Sequence, residues 1–436
     1  MAGRRSRRQF LALTAVGLLA GCGSLRTSSN PSPSSDDGLV VWQRLRGGEG
    51  MPPLTQAAYQ FGRSHPGATV TIHDAPTTTA AYLADLRRVT RSGRGPCLAQ
   101  VPNTAVTGLA QAGVLDDVTQ TAEQYRDSYA RGPMSRVTYR GRTYGLPLDS
   151  SPLVLFHDVD AWTKAGVDVP TTWQQMEAAA TRLRTAGLAL TDVPIDDAAW
   201  YAALCDACGC PWFRAVDDTT WQIGIDTAEA VAFASGWRRI VQAGGLPSTH
   251  GWDADATTSA FSSGKVVGHI GAPGEIPDLL EAVRATGHRW AVSALPSGGE
   301  GKGTGEGRVA SYAGSSWVVL TGCAHPDQAL AFADVIGEDT SLLAPRGLVP
   351  AASVDSLTTP SSWSDVFGDD DVMSTLSDLG GRIAQDSSPS PAWPVVAGAW
   401  ASVKGKFLGS GSFEKALGRI ADAARTRIEG LGLKVS

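Results

Sequence analysis

Apolar positions in the first part of the chain switch repeatedly between two spacings. Leu39-Val40-Val41-Trp42 is an uninterrupted apolar run suited to a strand buried on both faces. Between Pro52 and Arg63 the apolar side chains Leu54, Ala57, Ala58 and Phe61 recur at helical spacing, and His65-Pro66-Gly67 ends the pattern. The same reading predicts a strand at Val70-Thr71-Ile72, a helix over 80–89, a strand over 97–101 and a helix over 104–112 before Gly113. This β-α-β-α order predicts an α/β unit with a mainly parallel sheet and helices on both faces.

Tyr139-Arg140-Gly141-Arg142 carries a hairpin signal and leads through Pro147 to the apolar run Leu153-Val154-Leu155-Phe156, which predicts a buried strand. Thr172 and Gln175 stand at capping-box spacing before a helix running to Gly187, and Asp226 and Glu229 repeat the device for a helix ending at Gly244-Gly245. Strands over 266–270 and 290–295 flank a helix over 276–285. After a glycine-dense loop at 298–307 come a strand over 316–320 and a helix over 326–336, and the most periodic helical stretch is 413–428. A second α/β unit is therefore predicted, and no repeat of fixed period is present.

The first 22 residues stand apart. Arg4, Arg5, Arg7 and Arg8 precede an apolar core from Phe10 to Ala20 that is too short for a stable bilayer span, the pattern of an export leader; a stop-transfer anchor is the alternative. Ser6-Arg7-Arg8-Gln9-Phe10-Leu11 resembles a twin-arginine signal, and Leu19-Ala20-Gly21-Cys22 resembles a bacterial lipobox. These resemblances imply a protein on the extracytoplasmic face of the cell membrane, held there only by acyl chains such as palmitate on Cys22. Residues 23–38 are rich in Ser, Pro and Gly and predict a flexible tether. Net charge is −6 and the leader holds only cations, so the mature chain is more acidic still, which argues against nucleic acid or an electrostatic membrane contact. Thirteen tryptophans supply candidate stacking surfaces for sugar rings, although any single one is more commonly core.

Several phrases then fall in a familiar order: Phe61 to Val70 around His65-Pro66-Gly67; Ala112-Gly113-Val114-Leu115-Asp116-Asp117; Tyr139 to Pro147; Asp160 to Gly166 with Pro170-Thr171-Thr172-Trp173; Ala260 to Lys265; and Gly314-Ser315-Ser316-Trp317. Together they resemble the family 1 extracellular solute-binding proteins, the maltose-binding-protein-like receptors of bacterial sugar ABC importers. Pro96-Cys97-Leu98 and Gly271 to Glu275 depart from that pattern. The resemblance implies a periplasmic-binding-protein-like type II fold, with two α/β lobes around a ligand cleft joined by three crossings near 146–149, 295–297 and 336–343. Lobe 1 would comprise 39–148 and 296–340, and lobe 2 149–295 and 341–436. It further implies a monomer that hands its ligand to permease subunits and needs no cofactor.

Candidate ligand residues are those at predicted strand ends and crossings. Trp42 ends the first strand and is either a stacking surface or core; Glu49 lies in the glycine-rich segment after it. Asn103 and Thr104 follow a strand, where Asn103 either binds hydroxyls or caps a helix. Asp149 and Ser150 sit at the first crossing, as ligand groups or turn formers. Trp200 and Tyr201 begin a helix in the second lobe, Glu275 follows a Gly-Ala-Pro-Gly turn, Ser315 and Trp317 open a late strand, and Arg346 lies between Pro345 and Gly347. Ser262 and Lys265 have S-x-x-K spacing without the companion motifs, Gly301-Lys302-Gly303 lacks the hydroxyl of a phosphate loop, and the seven histidines show no metal spacing. Besides Cys22 there are five cysteines; Cys205-x-x-Cys208-x-Cys210 predicts a disulfide between two of the three, with a metal or redox site as alternative, and at least one thiol left over. The expected function is capture of a carbohydrate, an oligosaccharide or amino sugar, for an ABC importer. The alternatives are a receptor for another polar solute such as a glycerophosphodiester, or an exported carbohydrate-active enzyme using Asp149 with Glu275.

Overall fold

The computed structural model describes residues 38–48, 50–75, 78–248, 255–296, 308–404 and 413–436, all within the unit Ser34–Ser436. The leader with Cys22, nearly all of the tether, Glu49 and the glycine-dense loop at 298–307 lie outside the described residues.

The first apolar run forms the strand Leu39–Gln43, flanked in parallel by Val70–Asp74 and Leu98–Pro102. Helix Leu54–Ser64 joins the first two and buries Leu54, Ala57, Ala58 and Phe61, the four positions its spacing singled out. The sheet has five strands and is only half parallel: Ser315–Val319 pairs antiparallel with Leu98–Pro102, and Gly145–Pro147 antiparallel with Ser315–Val319. The strand from late in the chain does not arrive by a local helical crossover, so the rule that enforces parallel pairing does not bind it.

Val154–Asp158 is buried along its whole length, as its apolar run predicts. Both neighbours, Gly268–Gly271 and Trp290–Ala294, are antiparallel to it. An unbroken apolar run reports burial on two faces rather than strand direction. Between the two sheets three passages lie side by side. Asp149–Ser150 pairs with Val349–Pro350, and Pro152 bridges Ser311 in the segment returning to Ser315.

Local signals are realised closely. Thr138–Tyr139 and Arg142–Thr143 pair around Arg140 and Gly141, both left-handed at φ 52° and 67°, the hairpin turn expected there. Thr172 accepts from Gln175 N and the Gln175 side chain returns to the Thr172 N–H, a full capping box. The Asp226/Glu229 box does not form: Thr227 is the cap of helix Ala228–Gly244 and accepts from Ala230 N, one residue beyond the expected start. The disulfide also differs from expectation. It joins Cys97 and Cys323, while Cys205, Cys208 and Cys210 remain thiols at the end of helix Ala198–Ala207. Cys97 and Cys323 flank neighbouring strands whose register sets Leu98 opposite Val319, a proximity that sequence spacing does not reveal. Among the described residues no helix is long and apolar enough to cross a membrane.

Candidate functional site

Polar side chains converge where the strand Thr191–Pro194, the strand Gly268–Gly271 with the turn after it, the segment before Ser315, and helix Trp393–Val403 come together. They line a cavity of about 420 Å³ whose walls include Asp192, Asp197, Trp200, Glu275, Tyr312 and Trp393. Asp197 caps helix Ala198–Ala207, its Oδ1 accepting from Ala199 N at 2.7 Å and Trp200 N at 3.0 Å. That cap fixes where the helix starts and hence where Trp200 projects. The Trp200 indole is nearly fully buried, donates Nε1–H to Ile270 O at 2.6 Å, and is backed edge-on by Trp237. Its place in the wall is thus locked before any ligand arrives.

His269 occupies the floor. Its Nδ1 lies 2.7 Å from Asp192 Oδ1 and its Nε2 3.6 Å from Glu275 Oε2. Burial alone would depress the imidazole pKa, but the Asp192 and Glu275 carboxylates outweigh it and lift it to about 10. At neutral pH His269 is an imidazolium, with Nδ1 donating to Asp192 and Nε2 facing the Glu275 carboxylate. Glu275 Oε2 also accepts from Ala272 N at 2.6 Å, which closes the turn after the strand. Gly271 is required in this arrangement, because a Cβ there would collide with both His269 Nε2 and Glu275 Oε2. Tyr312 Oη donates to Asp197 Oδ2 at 2.8 Å. Burial, followed by the Glu275 and Asp197 charges, holds the Tyr312 phenol well above its ordinary pKa, so it remains a donor. Lys404 pairs with Asp196 at the rim.

A smaller cavity shares Ala199, Tyr312 and Trp393 with the first and extends it toward Asn103 and Thr104 at the end of the strand Leu98–Pro102. Asn103 is helical rather than an N-cap, and its Oδ1 accepts from Ser316 Oγ at 2.6 Å. Trp200 and Glu275 line the larger cavity, and Asn103 and Thr104 line the smaller one beside it.

The remaining expected positions lie elsewhere. Trp317 is fully buried among Phe61, Leu146 and Phe332 in the core of the first sheet, because alternation along its strand turns it away from the cavity. Tyr201 packs against Trp400 at 5.1 Å and Trp212 at 6.0 Å, one helical position round from Trp200 and facing the core. Trp42 is half-buried beside Tyr82 and lines neither cavity. Asp149 is spent on the passage between the sheets, accepting from Ser315 N at 2.9 Å and Ser315 Oγ at 3.2 Å, and Ser150 pairs with Val349. The Ser315 hydroxyl is held by Gln100 as well. Arg346 is buried and ties together the carbonyls of Arg46, Leu342 and Pro52, a structural clamp. Glu49 and Cys22 fall outside the described residues. Asp149, nominated with Glu275 as a glycosidase pair, does not line the cavity that holds Glu275.

Sequence reasoning missed Asp192, Asp197, His269, Tyr312 and Trp393. Asp192 and His269 did leave a trace, since each interrupts an apolar strand, Leu190-Thr191-Asp192-Val193 and Val267-Gly268-His269-Ile270. A buried polar residue without a local partner signals a distant one.

Residues 46–340 match the family profile described as bacterial extracellular solute-binding protein, and the chain belongs to that family. The galacto-N-biose-/lacto-N-biose I-binding protein of an ABC transporter from Bifidobacterium longum, solved with lacto-N-biose, is 27% identical. It superposes with a TM-score of 0.81 over 92% of this chain and 98% of its own. The ABC transporter associated binding protein of B. animalis subsp. lactis Bl-04, solved with beta-1,6-galactobiose, shares the fold at 21% identity and TM-score 0.72, over 92% of this chain and 99% of its own. A binding protein of Brucella abortus (strain 2308) is 22% identical over 294 residues, 66% of this chain and 69% of the relative. The fold is that of the type II periplasmic binding proteins.

Proposed function

We propose that this protein captures a carbohydrate between two lobes and delivers it to an ABC importer. The observation that carries the proposal is the cavity itself: indole walls from Trp200 and Trp393 beside the hydrogen-bonding groups of Asp192, Asp197, Glu275 and Tyr312. Apolar ring faces with convergent acceptors are what a sugar, apolar on its C–H faces and rich in hydroxyl donors at its edge, needs for recognition. The 27% identity to a lacto-N-biose-binding relative over nearly its full length supports a saccharide of similar kind. Trp200 and Glu275 would contact the ligand from lobe 2 (149–295 and 341–436), and Asn103 and Thr104 from lobe 1 (39–148 and 296–340). A ligand touching both favours the closed arrangement by its differential affinity, and permease subunits read that closure. The protein acts as a monomer without chemistry of its own, held on the extracytoplasmic face of the membrane by acyl chains on Cys22.

Isothermal titration with lacto-N-biose, beta-1,6-galactobiose and maltotetraose, with the sugars analysed afterwards, tests this. Stoichiometric binding of at least one and recovery of intact sugar are expected. Hydrolysis would replace the receptor with an enzyme, and binding of non-sugar solutes alone would overturn the substrate class. Labelling of wild type but not Cys22→Ala by a clickable palmitate analogue tests the anchor.

A further inference from the structure

The cavity carries a strong sign of charge. Four carboxylates line it, Asp192, Asp196, Asp197 and Glu275. Among the described residues the cations facing them are His269, set between Asp192 and Glu275, and Lys404, paired with Asp196. With both cations counted, two carboxylates remain in excess. Asp192 and His269 are almost wholly buried, so bulk water screens this end of the cavity poorly. The neutral groups of the lining do not offset the excess: the Trp200 N–H is consumed by Ile270 O, and the Tyr312 hydroxyl by Asp197.

Resting on the carbohydrate reading above, we propose that this cavity selects saccharides by charge, accepting a neutral or amine-bearing sugar and refusing a carboxylated or phosphorylated one, with Glu275 as the deciding residue. Glu275 is singled out by position. Asp192 is turned to His269 and Ser248, Asp196 to Lys404, and Asp197 to its helix and to Tyr312. Glu275 is also held, by Ala272 N–H and by His269, but of the two carboxylates on His269 it is the more exposed, 25% against 4% for Asp192. An anionic substituent entering here meets like charges in a low-dielectric space, which is rejection by repulsion rather than by lost contact. An ammonium group meets acceptors already oriented for it.

The test is a titration series on the intact protein with beta-1,6-galactobiose, its 6′-amino and 6′-uronate derivatives, glucosamine, glucuronate and glycerol 3-phosphate, read by calorimetry and tryptophan fluorescence. The neutral and amino forms should bind, with the uronate at least about tenfold weaker than the neutral sugar. Glu275→Gln, checked by melting for an intact fold, should weaken the amino sugar and narrow the neutral-to-uronate gap by roughly threefold or more. If uronate and neutral sugar bind alike, the charge rule falls and the carbohydrate reading stands. If glucuronate or glycerol 3-phosphate binds while neutral sugars fail, both fall. Silence from every probe also overturns the rule, since it names the amino sugar as an occupant.

Discussion

Asp149, at the passage between the two sheets, and Asp192, in the cavity floor, are buried to the same depth, 4% and 3% exposed, yet their surroundings are opposite in kind. Asp149 meets only neutral donors, the N–H and hydroxyl of Ser315, and burial outweighs them and pushes its pKa up to about 6. Asp192 meets an imidazolium, which makes its charge part of a pair. Position at a strand end therefore says little about whether a carboxylate is available to a ligand. What faces it across the fold decides.

Five substitutions bear on that difference. The largest effect is expected for His269→Leu, which leaves Asp192 buried opposite Glu275 without the cation; about 3–5 kcal/mol of stability should be lost, measured by denaturant unfolding at pH 7. Adding Asp192→Asn should restore part of it, and no restoration would mean that His269 acts by packing alone. The His269 contribution is fully present below the ordinary imidazole pKa of 6.5 and is lost as pH rises through 10, so the gap between wild type and variant should shrink on the alkaline side.

Asp149 gives a slope of the same sign in a more acid window, because its pKa is raised by burial, whereas that of His269 is raised by its carboxylate partners. The folded chain keeps its proton to higher pH than the unfolded chain, so stability falls as pH rises from 3.8 through 6 and levels off above, by about 3 kcal/mol in all. Asp149→Asn should remove that slope while saccharide affinity changes less than about threefold; a large loss of affinity would return Asp149 to the ligand site. Tyr312→Phe removes a hydrogen bond to a carboxylate and should cost about 2 kcal/mol in binding or folding combined. The smallest effect belongs to Arg46→Ala. Arg46 and Asp278 form a two-pronged pair at 2.6 Å, but with Arg46 46% exposed the loss should stay below about 1 kcal/mol and vanish in high salt. A larger, salt-resistant loss would show that depth of burial is the wrong guide to these carboxylates.

Much of the fold was legible because its signals are local. The helical spacing of Leu54, Ala57, Ala58 and Phe61, the Thr172/Gln175 box and the Arg140-Gly141 turn each involve residues within one or two turns of chain. Errors of one position, such as Thr227 capping in place of Asp226, arise where two capping side chains compete. The site was legible only in fragments. Trp200 lines the cavity and Tyr201 beside it faces the core, since one helical step moves a side chain by about 100°. Trp317 looked equal to Trp200 as an indole at an element start, and only its strand's face separates them.

By itself the sequence determined where the elements lie, that two α/β units share the chain, and that the fold belongs with the solute-binding proteins, because periodicity, caps and family phrases are written in contiguous residues. Tertiary structure decided the pairing of Asp192 with His269, the disulfide from Cys97 to Cys323, the diversion of Asp149 to Ser315 and the burial of Trp317. The three pairs stand 77, 226 and 166 residues apart, and nothing in a local pattern encodes which distant groups the packing will bring into contact.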